Sequence, residues 1–424
     1  MDDSPRILII GFYTFDGPDA TSITLKNIFS SWDKEKLAFI HLSTLPVNPE
    51  SKLNVFTVAN KKFGNFQING EKKNLLNKIR SSRSVVQGSV GSTERNDILT
   101  KGLNFIHTLI ASHRALIPYE YSPELDKFIE DFHPDIIYSA IGGIGMMDLI
   151  YKVSLKHDIL VFPHFYDDWI STSYSHNIFL LIPRFVLKYN LKKVFQRTEK
   201  AFAISDKMAF EYTTRYNKPF YSLMNCIEDS LPSDEPATDE STIRFCYSGG
   251  LHLHRWQTLN LLCDALDRIE TDKSMELNIY TSELDWLTYK DKFENYSFVK
   301  YMGFISQAEM LQELKKQTVL VHVESFEKQT LAYTRFSIST KIPEYLSMKK
   351  PILAIGPPDT ASVEYLKSNQ SAFIVDENKE NLLIDELKRL MNVDLRKKIA
   401  FNAYQLFKKN HTKESQHLLL KNNL

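Results

Sequence analysis

The stretch SISTKIPEYLSMKKPILAIG, Ser337 to Gly356, decides the reading of the fold. A hydroxyl-rich loop leads into a short helical pattern, which gives way to an apolar run over 351–355. A helix feeding a near-continuous apolar strand is the repeating unit of a parallel sheet covered on both faces. Ser339 and Thr340 are placed as helix N-caps with free amides suited to an anion, and Lys341 adds positive charge beside them. Glu344 follows within one helical turn. A carboxylate there can accept two hydrogen bonds from a ribose diol, a pairing that would serve no purpose beside phosphate alone. Taken in isolation, the segment reads first as an N-cap with a surface salt bridge.

The same alternation continues on both sides of this stretch. Strands are expected over 243–247, 276–280, 297–301, 319–323, 351–355 and 372–375, with helices over 257–269, 307–316, 342–348 and 381–391. An earlier series has strands over 6–11, 37–42, 136–139, 159–163 and 201–204, with a helical pattern over 22–32 after the first. Between the two series, NCIEDSLPSDEPATDEST is acidic, rich in Pro and Ser and poor in apolar residues, the composition of an interdomain linker. The expected class is α/β. The expected domains are an N-terminal Rossmann-like domain over 1–226, a linker over 227–242, a second Rossmann-like domain over 243–394 and a helical segment over 395–424. No strand follows that last segment, so it either caps the second domain or crosses back to the first.

Composition narrows the function. The 424 residues are enough for two or three domains, and 43% apolar residues with only 14 Gly and 16 Pro describe a well-packed globular chain. The 52 Lys+Arg balance 52 Asp+Glu, which argues against a dedicated nucleic-acid binder. That neutrality is a cancellation: residues 1–226 hold 27 basic and 23 acidic side chains, residues 227–424 hold 25 and 29. Much of the basic excess sits in two stretches, 72–101 and Arg184 to Lys200. The second is amphipathic, so anionic lipid headgroups or a phosphorylated acceptor are candidate neighbours, against the plainer reading of a solvated helix face. Cys226, Cys246 and Cys263 form no CxxC pair and suit a reducing compartment. No window is long and apolar enough to span a bilayer, and the acidic MDDSPRILIIGF start lacks the basic region of a signal peptide. The expected location is the cytoplasm, with attachment to the inner face of the membrane left open.

Two joined Rossmann-like domains place ligands on loops that follow strands, in the cleft between the sheets. In SGGLHLHRWQ, Gly249 and Gly250 follow a strand and Arg255 precedes a helix, so backbone amides and a guanidinium fork can meet a diphosphate. A tight strand-to-helix turn accounts for the paired glycines as well. In HFYDDW, His164, Asp167 and Asp168 group an imidazole with two carboxylates after another strand. One of the two acids is expected at the catalytic site and the other as a helix N-cap. SAIGGIGMMD lacks the GxGxxG spacing of a dinucleotide fingerprint and reads as a tight loop; the chain also has no GxxxxGK[ST], HExxH or GxSxG.

Together, the strand-GG-R loop, YMGFIS before a helix, and STKIPEYLSMKKPIL resemble the C-terminal half of nucleotide-sugar-dependent glycosyltransferases of the GT-B fold, closest to the large retaining glycosyltransferase family 4. PDIIYS, PHFYDDW and KAFAISDKMAFEY extend the resemblance over nearly the whole chain. It implies parallel sheets facing across a cleft and a retaining, hexosyltransferase-like activity. A sugar would pass from a nucleoside diphosphate donor, uridine-linked in most relatives, to a glycan or lipid-linked acceptor in polysaccharide or glycoconjugate biosynthesis. It also implies that Arg255 holds the diphosphate, that the turn of Gly303, Phe304 and Ile305 contacts the base, and that Glu344 holds the ribose. His164 would hydrogen-bond the donor sugar while Asp167 or Asp168 orients a hydroxyl. No metal or other cofactor is implied, because enzymes of this fold neutralise the diphosphate with amides and basic side chains.

The pattern departs from the family in three places. The E-x7-E motif has Phe336 where its first Glu belongs, with Glu324 as a substitute only if the fold brings it close. Gly17 stands alone in the first loop, FDGPDATS, where many members have two glycines, and Leu251 replaces an arginine. Two alternatives therefore stand beside transfer: a nucleotide-sugar epimerase of the same fold, and a non-catalytic scaffold that binds a glycan or a partner enzyme.

Overall fold

The structure, a computed structural model, describes residues 4–15, 17, 19–42, 53–58, 112, 115–175, 177–229 and 241–424. The basic stretch 72–101 and most of the expected linker lie outside the described residues.

The first sheet has seven strands: β1 (Ile7–Gly11), β2 (Leu37–His41), β3 (Asn54–Thr57), β4 (Ile136–Ala140), β5 (Leu160–Phe165), β6 (Ala201–Ala203) and β7 (Phe220–Ser222). Their spatial order is β3-β2-β1-β4-β5-β6-β7, and the pairs are parallel. The second sheet has six: β8 (Thr242–Ser248), β9 (Ser274–Tyr280), β10 (Val299–Gly303), β11 (Val319–Val323), β12 (Ile352–Ile355) and β13 (Phe373–Val375). These run parallel in the order β10-β9-β8-β11-β12-β13.

The apolar runs follow from burial on both faces. Along β1, Leu8 and Ile10 join one core with Met146, Leu149 and Ile150, while Ile7 and Ile9 join another with Leu25, Phe29 and Leu420. Side chains alternate across a strand, so a strand covered on both sides favours apolar residues at every position, and the few polar ones, such as Ser139 and His322, are buried. The edge strands β3 and β7 were not expected from the sequence, because they are short and half exposed and carry no continuous apolar run.

Order reverses between β1 and β4 in the first sheet and between β8 and β11 in the second. At such a switch point the connections leave on opposite faces and open a crevice at the carboxyl ends of the strands. The loops after β1, β4, β8 and β11 flank these crevices, and the loop after β5 lies next to the first of them.

The expected long helix at the C-terminus is two helices, Val393–Asn410 and Lys413–Asn423. The break at His411 and Thr412 serves a crossing: Thr412 forms a parallel bridge with Ile227 and caps the second helix. That helix then packs on the first domain, with Leu420 in the core beside Ile28 and with Gln416 Oε1 accepting from the Met224 amide at 2.8 Å. His411 is fully buried at the crossing. Its Nδ1 lies 3.0 Å from the Asn225 carbonyl oxygen and its Nε2 lies 2.9 Å from Tyr365 Oη.

Candidate functional site

The two acids of HFYDDW take separate places. Asp167 looks out of the first domain: its Oδ1 accepts a hydrogen bond from Ser337 Oγ at 2.6 Å and its Oδ2 accepts one from Tyr333 Oη at 3.1 Å. Both donors belong to the second domain, and the Asp168 amide donates across the same junction to the Tyr333 carbonyl at 3.3 Å. The Asp168 carboxylate turns inward. Its Oδ1 accepts from Ser171 Oγ, Tyr212 Oη and the Arg215 guanidinium at 2.8, 2.7 and 2.9 Å. It precedes the short helix Trp169–Thr172 without capping a backbone amide, so its role as an N-cap is positional only.

His164 does not face the cleft as expected. Its ring is fully buried at the end of β5, 2.5 Å from Tyr138 Oη through Nδ1 and tilted against Tyr166 at 4.4 Å between centroids. Burial lowers its pKa to about 3, and the Leu223 backbone offsets this only in part. The imidazole is thus neutral at any working pH. Its direction follows from strand alternation, which sends His164 into the sheet face occupied by Tyr138 and Phe202. Among the described residues no three His, Cys, Asp or Glu side chains gather as a metal site.

Across the junction, Arg255 opens the helix Arg255–Arg268 after β8 and Glu324 follows β11, the two strands that flank the switch point. Arg255 reaches Glu324 Oε2 at 3.5 Å. The Glu324 carboxylate is 4% exposed, and His322 Nε2 lies 3.3 Å from its other oxygen without hydrogen-bond alignment. Burial alone would raise the Glu324 pKa, but Arg255 and then His322 outweigh it and hold the carboxyl below its ordinary value. Asp167 shifts the other way: burial raises its pKa, Glu324 adds to the rise, and Ser337, Tyr333 and Arg255 oppose it. Two carboxylates that share one guanidinium are therefore driven apart in proton affinity.

Of the paired glycines expected to meet a phosphate, Gly249 has its amide engaged in the sheet. The Gly249 amide continues the β8 and β9 pairing by donating to the Tyr280 carbonyl at 3.0 Å, and the Gly250 carbonyl accepts from Tyr247 Oη at 2.6 Å. In the first domain, Gly17 packs its backbone on the start of the helix Ala20–Ile28, where a Cβ would lie 2.2 Å from Ser22 Oγ.

The helix at the centre of the sequence reading spans Ile342–Ser347, one turn and a half. Its N-cap is Lys341, not Ser339 or Thr340. Ser339 Oγ instead accepts from the Lys341 amide at 3.3 Å, its own amide donates to Ser362 Oγ at 3.1 Å, and the Thr340 carbonyl accepts from Asn225 Nδ2 at 2.9 Å. Pro343 in the first turn shortens the set of free amides further. Glu344 is 2% exposed; its Oε1 accepts from Gln307 Nε2 at 2.8 Å, while Oε2 is buried with no hydrogen-bond partner. Lys341 Nζ covers that oxygen at 3.5 Å. Gln307 begins the helix that follows Gly303, Phe304 and Ile305, and so ties the turn to Glu344. Gly303 has φ of 79°, a conformation that favours glycine, Phe304 is 74% exposed and Ile305 is half-buried against the core.

Phe336, in place of the first Glu of E-x7-E, is buried at the domain junction between Arg215 and Arg335, and its carbonyl accepts from Ser205 Oγ at 2.5 Å. Glu324, the substitute considered for that Glu, is buried and paired with Arg255. Tyr333, Ser337 and Gln307 had no signal in the sequence as site residues, because their partners come from other elements.

No protein-family model matches this chain. No curated protein matches it either. Solved structures do. The chain is similar to a trehalose-6-phosphate synthase, OtsA (TM-score 0.61, 10% identity, 98% of each chain covered). It is similar to the sucrose-phosphate synthase from Thermosynechococcus elongatus (TM-score 0.59, 10% identity, 98% of this chain and 97% of that one). A third is the apo lipopolysaccharide outer core galactosyltransferase WaaB (TM-score 0.57, 12% identity, 98% of each chain). The chain has the GT-B fold, two Rossmann-like domains with parallel sheets of seven and six strands.

Proposed function

We propose that this chain transfers a sugar from a nucleoside diphosphate sugar, uridine-linked, to a glycan or lipid-linked acceptor with retention of configuration. The observation that carries the reading is Glu344, a carboxylate with one oxygen held by Gln307 and the other buried without a hydrogen-bond partner. A buried carboxylate oxygen with no donor costs free energy, and a ribose hydroxyl supplies the missing donor. Lys341 is the cover: its side chain is about a third exposed, so it can leave Glu344 for the diphosphate.

With the Gly249 amide engaged in the sheet, the negative charge that grows on the leaving phosphate falls to the Gly250 amide, Arg255 and Lys341. Departure of the diphosphate breaks the bond from the anomeric carbon to oxygen. The acceptor hydroxyl forms the new bond on the same face and passes its proton to the departing phosphate oxygen. Asp167, with its raised pKa and its place at the junction, orients a hydroxyl of the sugar or acceptor. His164 supports the wall behind it through Tyr138 and Tyr166. Of the similar proteins, the galactosyltransferase is named for sugar transfer, which supports the reaction class.

The test is incubation of the full chain with UDP-, GDP- and ADP-linked sugars, followed by product analysis by NMR. Slow release of nucleoside diphosphate and a sugar of retained configuration supports the reading. An altered nucleotide sugar released intact would mark an epimerase, and absence of binding to every donor would mark a scaffold; either result overturns it.

A further inference from the structure

The helix Leu181–Gln196 and the turn before it are apolar on two sides. Pro183, Leu187, Leu191, Val194 and Phe195 face the core. On the opposite side Ile178, Leu181, Ile182, Phe185 and Tyr189 stand out of the surface, from 50% exposed at Tyr189 to 73% at Ile178. Apolar side chains on the outer side of a helix as well as the inner one leave an exposed patch that a soluble surface rarely carries. Lys188 and Lys192 continue the exposed side after Phe185, and Lys193 lies over the Tyr189 ring at 4.6 Å. Apolar side chains at one end and cations at the other match an interfacial helix that meets acyl chains and headgroups together.

Beside this ridge lies a cavity of about 540 Å³. Arg184, Lys188, Lys192 and Arg215 line it over a floor that includes Leu191 and Phe195. Arg184 is anchored to the Ser173 carbonyl at 2.9 Å, and Arg215 to Asp168 at 2.9 Å. Among the described residues only Arg215 of these four cations is paired with carboxylates, Asp168 and Glu211, which leaves the cavity positive. The short helix Trp169–Thr172 separates the cavity from Asp167 at the domain junction.

We propose that this face docks on an anionic phospholipid bilayer, the ridge entering the acyl boundary and the cavity taking a lipid phosphate. Docked so, the first domain holds the mouth of the cleft at the membrane surface, where an acceptor anchored in lipid is presented to Asp167. The choice of a lipid-anchored acceptor rests on the sugar-transfer reading; the docking does not.

Sedimentation of the full chain with vesicles tests the docking without any donor. Vesicles of phosphatidylcholine with phosphatidylglycerol are expected to bind the chain, and vesicles of phosphatidylcholine alone to bind it weakly. Lys188→Ala and Lys192→Ala each lower binding to the anionic vesicles by about fivefold. Phe185→Ser lowers it by about tenfold or more. All three replace exposed side chains, so melting without lipid stays unchanged. Failure to bind anionic vesicles, or equal binding by the wild type and every variant, overturns the proposal. Concentration-dependent self-association that Phe185→Ser abolishes, with no vesicle binding, assigns the ridge to a second copy and overturns it as well. None of these results bears on whether the chain binds a nucleotide sugar.

Discussion

Asp167 Oδ1 accepts a hydrogen bond of 2.6 Å from Ser337 Oγ, a residue 170 positions later in the chain and in the other domain. A buried acid thus spans the cleft, within the field of Arg255 and Glu324. Its burial raises its pKa above the ordinary carboxyl value of about 3.9. The folded state then holds a proton over a pH window in which the unfolded chain has lost it. Stability from this group is complete below that ordinary value and is lost as pH rises through the folded pKa. Asp167→Asn removes the dependence, so its stability relative to wild type should rise with pH across the window just above 4. Urea midpoints at a series of pH values check this; a constant difference between the two proteins would contradict it. Activity should fall at the same time, since an amide cannot act as the hydroxyl-orienting anion.

Glu324 behaves in the opposite sense. Arg255 and His322 hold its pKa below the ordinary value in spite of burial, so its contribution is present above that value and lost as pH falls. Arg255→Met leaves the Glu324 charge buried and uncompensated, with an expected cost of about 3 kcal/mol. Arg255→Met with Glu324→Met should recover much of that loss, because the charge that needed a partner is gone. A double-mutant cycle from urea denaturation measures the coupling, and additive losses would show that the 3.5 Å pair carries none.

Donor binding should depend on Glu344. Glu344→Ala removes hydrogen bonding to a charged acceptor worth about 1.5–3 kcal/mol, which corresponds to about a 10- to 100-fold loss in donor affinity. Glu344→Gln keeps the volume but not the charge and should lie between wild type and alanine. Calorimetric titration with nucleoside diphosphate sugars is the measurement, and unchanged affinity in both variants would remove Glu344 from the ribose.

The buried histidines set the acid limit of the fold. Burial lowers His411 to about 4 and His164 to about 3, so each stays neutral in the fold while the unfolded chain takes up a proton below its usual 6.5. Each contributes stability above 6.5 that is lost as pH falls toward its folded value, at about 1.4 kcal/mol per pH unit. His411→Gln should flatten the slope by that amount between 6 and 4. Chemical denaturation over this range measures it, and a slope equal to that of the wild type would show that His411 titrates normally.

Much of the fold was legible because its signal is local. Ile7 to Ile10 and Ile352 to Ile355 are apolar throughout, since parallel strands with helices on both faces bury every side chain. The edge strands β3 and β7 escaped for the converse reason: one exposed side removes the continuous run. Among the candidate site residues, Arg255 and Glu344 stand out by their places after a strand and at a helix start, and the turn at Gly303 only through the family resemblance. Whether a backbone amide is free was not legible. The Gly249 amide looks available from the GG pair and is taken by Tyr280, which arrives from a neighbouring strand.

The sequence by itself determined two α/β domains, the division of charge between them and the loops that can carry chemistry, because strand, helix and turn preferences act over a few residues. Tertiary structure decided which member of Asp167 and Asp168 meets the other domain, that His164 lies in the core, that Glu324 pairs with Arg255, and that Glu344 keeps one oxygen unsatisfied. Hydrogen bonding and burial set those outcomes, and both depend on partners that only folding brings within about 3 Å of one another.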